Sequence, residues 1–147
     1  MTLFEAPTYD PRRARRRNFI IAGVVVFVLI IATVAWLYRN YPEERVVQKF
    51  FTALQNKDYE KAYGLWQADP TWKQHPQNPN YTFGDFYQDW GPGGEWGLIH
   101  SFHIDGSATP KDGGSGVVVV VTVNDRKEKK ARMWVENKTK TITFSPF

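Results

Sequence analysis

The apolar positions of this 147-residue chain change rhythm twice, dividing it into three stretches. From Phe19 to Leu37 no charge interrupts the first stretch. Its length is close to the ~20 residues a helix needs to cross a bilayer. Thirteen of its residues are Phe, Ile, Leu or Val. At roughly −0.3 to −0.6 kcal/mol each, they make insertion favourable by on the order of 4 to 8 kcal/mol. So many β-branched residues weaken a helix in water, but in lipid the backbone must bond internally.

From Pro42 the spacing becomes helical. Val46, Val47, Phe50, Phe51 and Leu54 form one stripe, with Pro42 suited to the first turn and Glu43 and Glu44 to the positive helix end. Asn56 is expected to close this helix and Asp58 to cap a second. There Tyr59, Ala62, Tyr63 and Trp66 repeat the spacing until Asp69-Pro70 stops it. "TWKQHPQNPNYT" reads as a loop. Thr82 and Asp85 make a capping box for a short third helix with Phe83, Phe86, Tyr87 and Trp90 on one face, ended by "GPGG" at 91–94.

The last stretch reads as strands. "EWGLIHSFHID", "VVVVVTV", "ARMWVE" and "TKTITFSPF" are separated by the turns "KDGGSG", "NDRKEKK" and Asn137-Lys138. The expected class is therefore α+β. One N-terminal transmembrane helix precedes a small domain of about three helices packed on a four-stranded antiparallel sheet. The expected boundaries are a cytoplasmic basic segment over 1–17, a transmembrane helix over 18–38 and an extracytoplasmic domain over 42–147.

"VVQKFFTALQNKDYEKAYGLW", an aromatic short helix, "WGLIHSFHI" and the strand run together are similar to the nuclear-transport-factor-2-like superfamily. The likeness covers Glu43 to Phe147, and its most specific part is the first helix pair. It implies a cone-shaped α+β fold. That superfamily includes isomerases and cyclases with an Asp, Tyr or His inside the cone, and many domains without catalysis. This sequence departs from the pattern in having no clear strand between the second and third helices. Tyr63, Trp66, Phe86, Tyr87 and Trp90 are candidate pocket-lining residues, although the same stripe serves as an ordinary core.

Charge adds an orientation. The formal net charge is +4, and it is concentrated in the N-terminal segment. Arg12, Arg13, Arg15, Arg16 and Arg17 precede the apolar run and Arg39 follows it, which predicts a cytoplasmic N-terminus. Trp36 and Tyr38 sit at the level of an aromatic belt, and Arg39 can snorkel outward. The arginines also favour anionic membrane lipids. From Arg39 onward 14 basic residues are interleaved with 13 acidic ones, so no nucleic-acid partner is expected. A cleavable signal is disfavoured by the length of the apolar run, and "RRNFI" resembles a twin-arginine export pattern only locally. The expectation is an uncleaved anchor in the inner (plasma) membrane, with the body in the periplasm. The anchor lacks a GxxxG pair and any ionisable side chain, so it reads as a tether.

No catalytic set is legible, and no enzyme, cofactor or metal is expected. Cysteine is absent. His100 and His103 fall on opposite faces of the expected strand, and His75 sits alone in its loop. Asp85 and Asp89 are an acid/base pair on one reading and helix-capping, solubilising groups on the favoured one. The valine strand carries the most functional information. Residues 117–121 are apolar on both faces, whereas a meander covered on one side needs a polar outer face. Val118 and Val120 are therefore candidate partner-face residues, the simpler reading being β-propensity with Lys and Trp neighbours as cover.

The expected function is a single-pass, membrane-anchored, non-catalytic accessory or scaffold subunit of a larger bacterial membrane protein complex, whether respiratory, photosynthetic or secretory. The layout is similar to the bitopic scaffold subunit of type IV secretion machines. A tethered binding domain for an apolar small molecule is the alternative, and an isomerase-like enzyme the third reading.

Overall fold

The structure is a computed structural model and describes residues 11–146; residues 1–10 of the basic segment and Phe147 lie outside the described residues. The chain divides into two compact units, Met1–Arg39 and Asn40–Phe147.

The first unit is helix α1, Pro11–Leu37, with none of its residues buried. It takes in the arginines as well as the apolar run. Its 27 residues give a length of about 40 Å. The hydroxyl of Thr33 donates to the carbonyl of Leu29 at 2.8 Å, so this polar group is satisfied within the helix. A helix long and apolar enough to cross a membrane is thus present near the N-terminus.

The second unit contains α2 (Tyr41–Gln55), α3 (Tyr59–Gln67), a single 3₁₀ turn (Trp72–Gln74) and α4 (Phe83–Trp90). Strands β1 (Phe102–Ala108), β2 (Gly116–Val123), β3 (Lys130–Glu136) and β4 (Ile142–Phe144) follow. The sheet is a meander in the order β1-β2-β3-β4 with antiparallel neighbours. On α2 the stripe Val47, Phe50, Phe51 and Leu54 is buried, and the helix packs against β1, β2 and β3. α3 packs against α2, α4 and β4. The inner sheet face contributes Val117, Val119, Val121, Val123, Met133, Val135 and Ile142.

Local signals act where the sequence places them. Asp58 accepts from the Lys61 amide at 3.1 Å and caps α3. Thr82 accepts from the Asp85 amide at 3.3 Å while Asp85 accepts from the Thr82 amide at 2.9 Å, completing the capping box. Tyr81, just before that cap, packs its ring at 6.4 Å from Phe86, one turn inside α4, as a hydrophobic staple.

Two expectations are corrected, the start of the first strand and the loop after α3. The first strand begins at Phe102, not near Glu95, because Gly97 turns the chain at φ +62°. The Asn124 side chain then takes the backbone groups that strand pairing would have used. It accepts from the His100 and Ser101 amides at 2.8 and 3.3 Å and donates to the Leu98 carbonyl at 2.9 Å. His100 therefore precedes the strand. As expected, α2 is closed at Asn56, its C-cap, and Lys57 just beyond takes the left-handed region (φ 59°). The proline-rich loop carries the short 3₁₀ turn. Among the described residues no strand separates α3 from α4, so the departure seen in sequence persists. β1 is an outer strand, and its register slips between Ile104 and Gly106, where Gly106 has φ +154°. Such a bulge disturbs the edge against further strand pairing.

Candidate docking surface

The outer sheet face is built by register. Val118 lies between Ala108 and Trp134, Val120 between Gly106 and Arg132, and Thr122 between His103 and Lys130. Side-chain alternation sends Val119 and Val121 into the core with no exposure and turns Val118 and Val120 outward, where both remain half-buried.

This face is polar at one end and apolar at the other. At the polar end Thr122 donates to Asp105 at 2.7 Å, and Lys130 stands 3.1 Å from the same carboxylate oxygen. The Thr122 hydrogen bond, followed by Lys130, holds the Asp105 carboxyl below the usual range. At the other end the Trp134 indole lies over the start of β2. A Cβ on Gly116 would come within 2.6 Å of that ring, and one on Gly114 within 2.9 Å. Between the two ends Gly106 and Ala108 have too little side chain to cover the valines. A shallow hollow of about 400 Å³ results, lined by Ala108, Pro110, Val118 and Val120 with the charged Lys111, Asp112 and Arg132.

The candidate pocket residues come together only in part. Tyr63, Trp66, Phe86 and Trp90 are buried and pack ring against ring. The centroid separations are 5.3 Å for Tyr63–Phe86, 5.9 Å for Trp66–Trp90 and 6.0 Å for Trp66–Phe86. Burial raises the Tyr63 phenol pKa. Tyr87 departs from the set at 45 % exposure and meets Tyr59 edge-on at 5.1 Å. Eight-residue α4 buries Phe86 and Trp90, four apart, and Tyr87 sits a third of a turn round from Phe86.

Asp85 and Asp89 are engaged separately. Hydrogen bonds from Thr82 lower the Asp85 pKa, whereas Asp89 accepts from the Tyr81 hydroxyl at 2.9 Å. Burial, then the neighbouring Asp89 carboxylate, pushes the Tyr81 phenol far up. The Trp90 indole N–H is buried with no hydrogen-bond partner among the described residues. Tyr81 was hidden from motif reading by the surrounding prolines, and its position just before the Thr82 cap is the signal that finds it.

His75 has a partner the sequence did not identify. Its Nδ1 stands 2.6 Å from Asp69 Oδ2, while Asp69 Oδ1 accepts from both the amide and the hydroxyl of Thr71 at 2.8 Å. The His75 bond, then those from Thr71, lower the Asp69 pKa. His75, His100 and His103 are not brought together, and no group of three metal-ligating side chains occurs among the described residues.

Arg12, Arg13, Arg15, Arg16 and Arg17 occupy the first turns of α1 on its exposed surface. Trp36, in the last turn of that helix, is 69 % exposed, with Tyr38 and Arg39 exposed just beyond its end. No family model, no curated protein and no solved structure matches this chain.

Proposed function

We propose that this protein is an accessory or scaffold subunit of a larger bacterial membrane complex, anchored by α1, with residues 42–147 working outside the cytoplasm. The carrying observation is a pair of apolar surfaces, one that the chain leaves uncovered and one that it covers only in part. One is α1, apolar all round from Phe19 to Leu37 with no buried residue. A helix of that kind needs lipid or other helices as its solvent. The other is the Val118–Val120 strip, which small β1 residues leave open. The five arginines before the apolar run support a cytoplasmic N-terminus and contact with anionic lipid.

The body is read as a nuclear-transport-factor-2-like domain, on the strength of helices laid across one face of a four-strand meander. Its interior is occupied by the rings of Tyr63, Trp66, Phe86 and Trp90. That space is what a ligand would need, so docking is favoured over a ligand-holding cone and over isomerase-like chemistry.

Extraction of native membranes in mild detergent tests the reading. The protein is expected in a large particle of fixed composition whose companions mass spectrometry identifies. Val118→Asp and Val120→Asp are expected to leave the helices folded and to release the protein from that particle. A wild-type chain migrating alone overturns the subunit reading, and retained assembly of either variant removes the sheet face from it.

A further inference from the structure

On the helical side of the body two depressions, of about 520 and 640 Å³, share Asp58, Lys61 and Leu65. The smaller is a groove between α2 and α3, and the larger continues it on the far side of α3 toward the 3₁₀ turn. Half-buried Leu65 lies where they join, with Ala68 and Pro70 extending the apolar floor.

The charges on this groove do not balance internally. Its carboxylates are already used: Asp58 caps α3 through the Lys61 amide, and Glu60 is paired with Lys73. Its remaining cations, Arg45, Lys49 and Lys61, are exposed, and among the described residues none meets a carboxylate. Arg45 and Lys49 are one turn apart on α2, a like-charge spacing that is unfavourable in an isolated helix. Cations around a low-dielectric floor focus positive potential onto whatever enters the groove.

We propose that this groove docks an acidic segment of a partner protein, with carboxylates meeting Arg45, Lys49 and Lys61 and an apolar side chain seated on Leu65. This rests on the accessory-subunit reading and adds a second contact face, opposite the valine strip. A concave floor between two helices receives an inserted side chain, which the flat headgroup layer of an anionic bilayer does not supply. The occupant is therefore a protein segment.

The test places a photo-crosslinking amino acid at Thr52, beside the three cations, in the full-length chain in its native membrane. The expected product is a crosslink to one acid-rich segment of a companion in the extracted particle. Replacing Arg45, Lys49 and Lys61 together by Glu should cut that product about tenfold, with the far-UV circular dichroism unchanged. If the reversed chain misfolds, the corresponding Gln triple variant takes its place, and a several-fold loss is expected. An unchanged yield, a crosslink to lipid, or a crosslink to a segment without carboxylates overturns the groove while leaving the particle and the subunit reading intact. A wild-type chain that migrates alone overturns both.

Discussion

Val119 and Val120 are adjacent, chemically identical and in the same strand, yet Val119→Asp and Val120→Asp should have opposite consequences for folding. Val119 is fully buried between its partners Ser107 and Met133, among core residues that are apolar throughout apart from Glu43. Replacing it forfeits about 1.5–3 kcal/mol of side-chain burial. It also places a carboxylate without a partner in the core, a further cost of several kcal/mol whether it stays charged or takes up a proton. The total, on the order of 5 kcal/mol or more, matches the lower part of the 5–15 kcal/mol that holds an ordinary domain together. Val120 points outward, between Gly106 and Arg132, where water and a guanidinium are within reach. Its replacement loses mainly β-propensity, about 1 kcal/mol. With urea m-values of about 1–3 kcal/mol/M, that shifts the midpoint by less than about 1 M. Urea unfolding of the detergent-solubilised full chain, followed by tryptophan fluorescence, separates the two outcomes. Val119→Asp should abolish the cooperative transition and Val120→Asp should keep it. A folded Val119→Asp, or a Val120→Asp that loses its transition, would refute the facing of the strand and the docking surface built on it.

Two further predictions concern packing and pH. Gly116→Ala places a Cβ 2.4 Å from the Val135 carbonyl and 2.6 Å from the Trp134 ring, neither a flexible chain end. It should cost about 1–3 kcal/mol in the same assay, whereas Gly93→Ala, with nothing within 4 Å, should change little. The folded state lowers the carboxyl pKa values of Asp69, Asp85 and Asp105 through their hydrogen bonds to His75, Thr82 and Thr122. Their stabilisation is therefore fully present above the unfolded value of about 3.9 and is lost as pH falls through the lower folded values. Stability should be flat in these groups from pH 7 to 5 and decline below about pH 4. Thr82→Ala should cost about 0.5–2 kcal/mol at pH 7 and less under acid, and an equal cost at pH 2 would argue against the capping-box account.

What the sequence determined by itself is what short-range chemistry decides. The apolar run lies within α1, as its nineteen uncharged residues predict, and gives that helix the length and composition needed to cross a membrane. The caps at Asp58 and Thr82 and the alternation of β2 likewise follow from residues within one turn or one strand. Tertiary structure decided the rest because the partners lie beyond a single turn or strand, some across a loop and some far along the chain. Asn124 reaches back to Trp96–Ser101 and ends the strand expected there. Asp69 and Tyr81 gained roles only when loop closure brought His75 and Asp89 to them. Five consecutive valines show no polar side to a reader of the sequence. Only the register, which sets Gly106 and Ala108 beside them on one edge and Trp134 and Arg132 on the other, decides which valines are core and which are left open. The Arg45–Lys61 groove is of the same kind, since it exists only once α3 folds back on α2 and sets Arg45 and Lys49 of one helix beside Lys61 and Leu65 of the other.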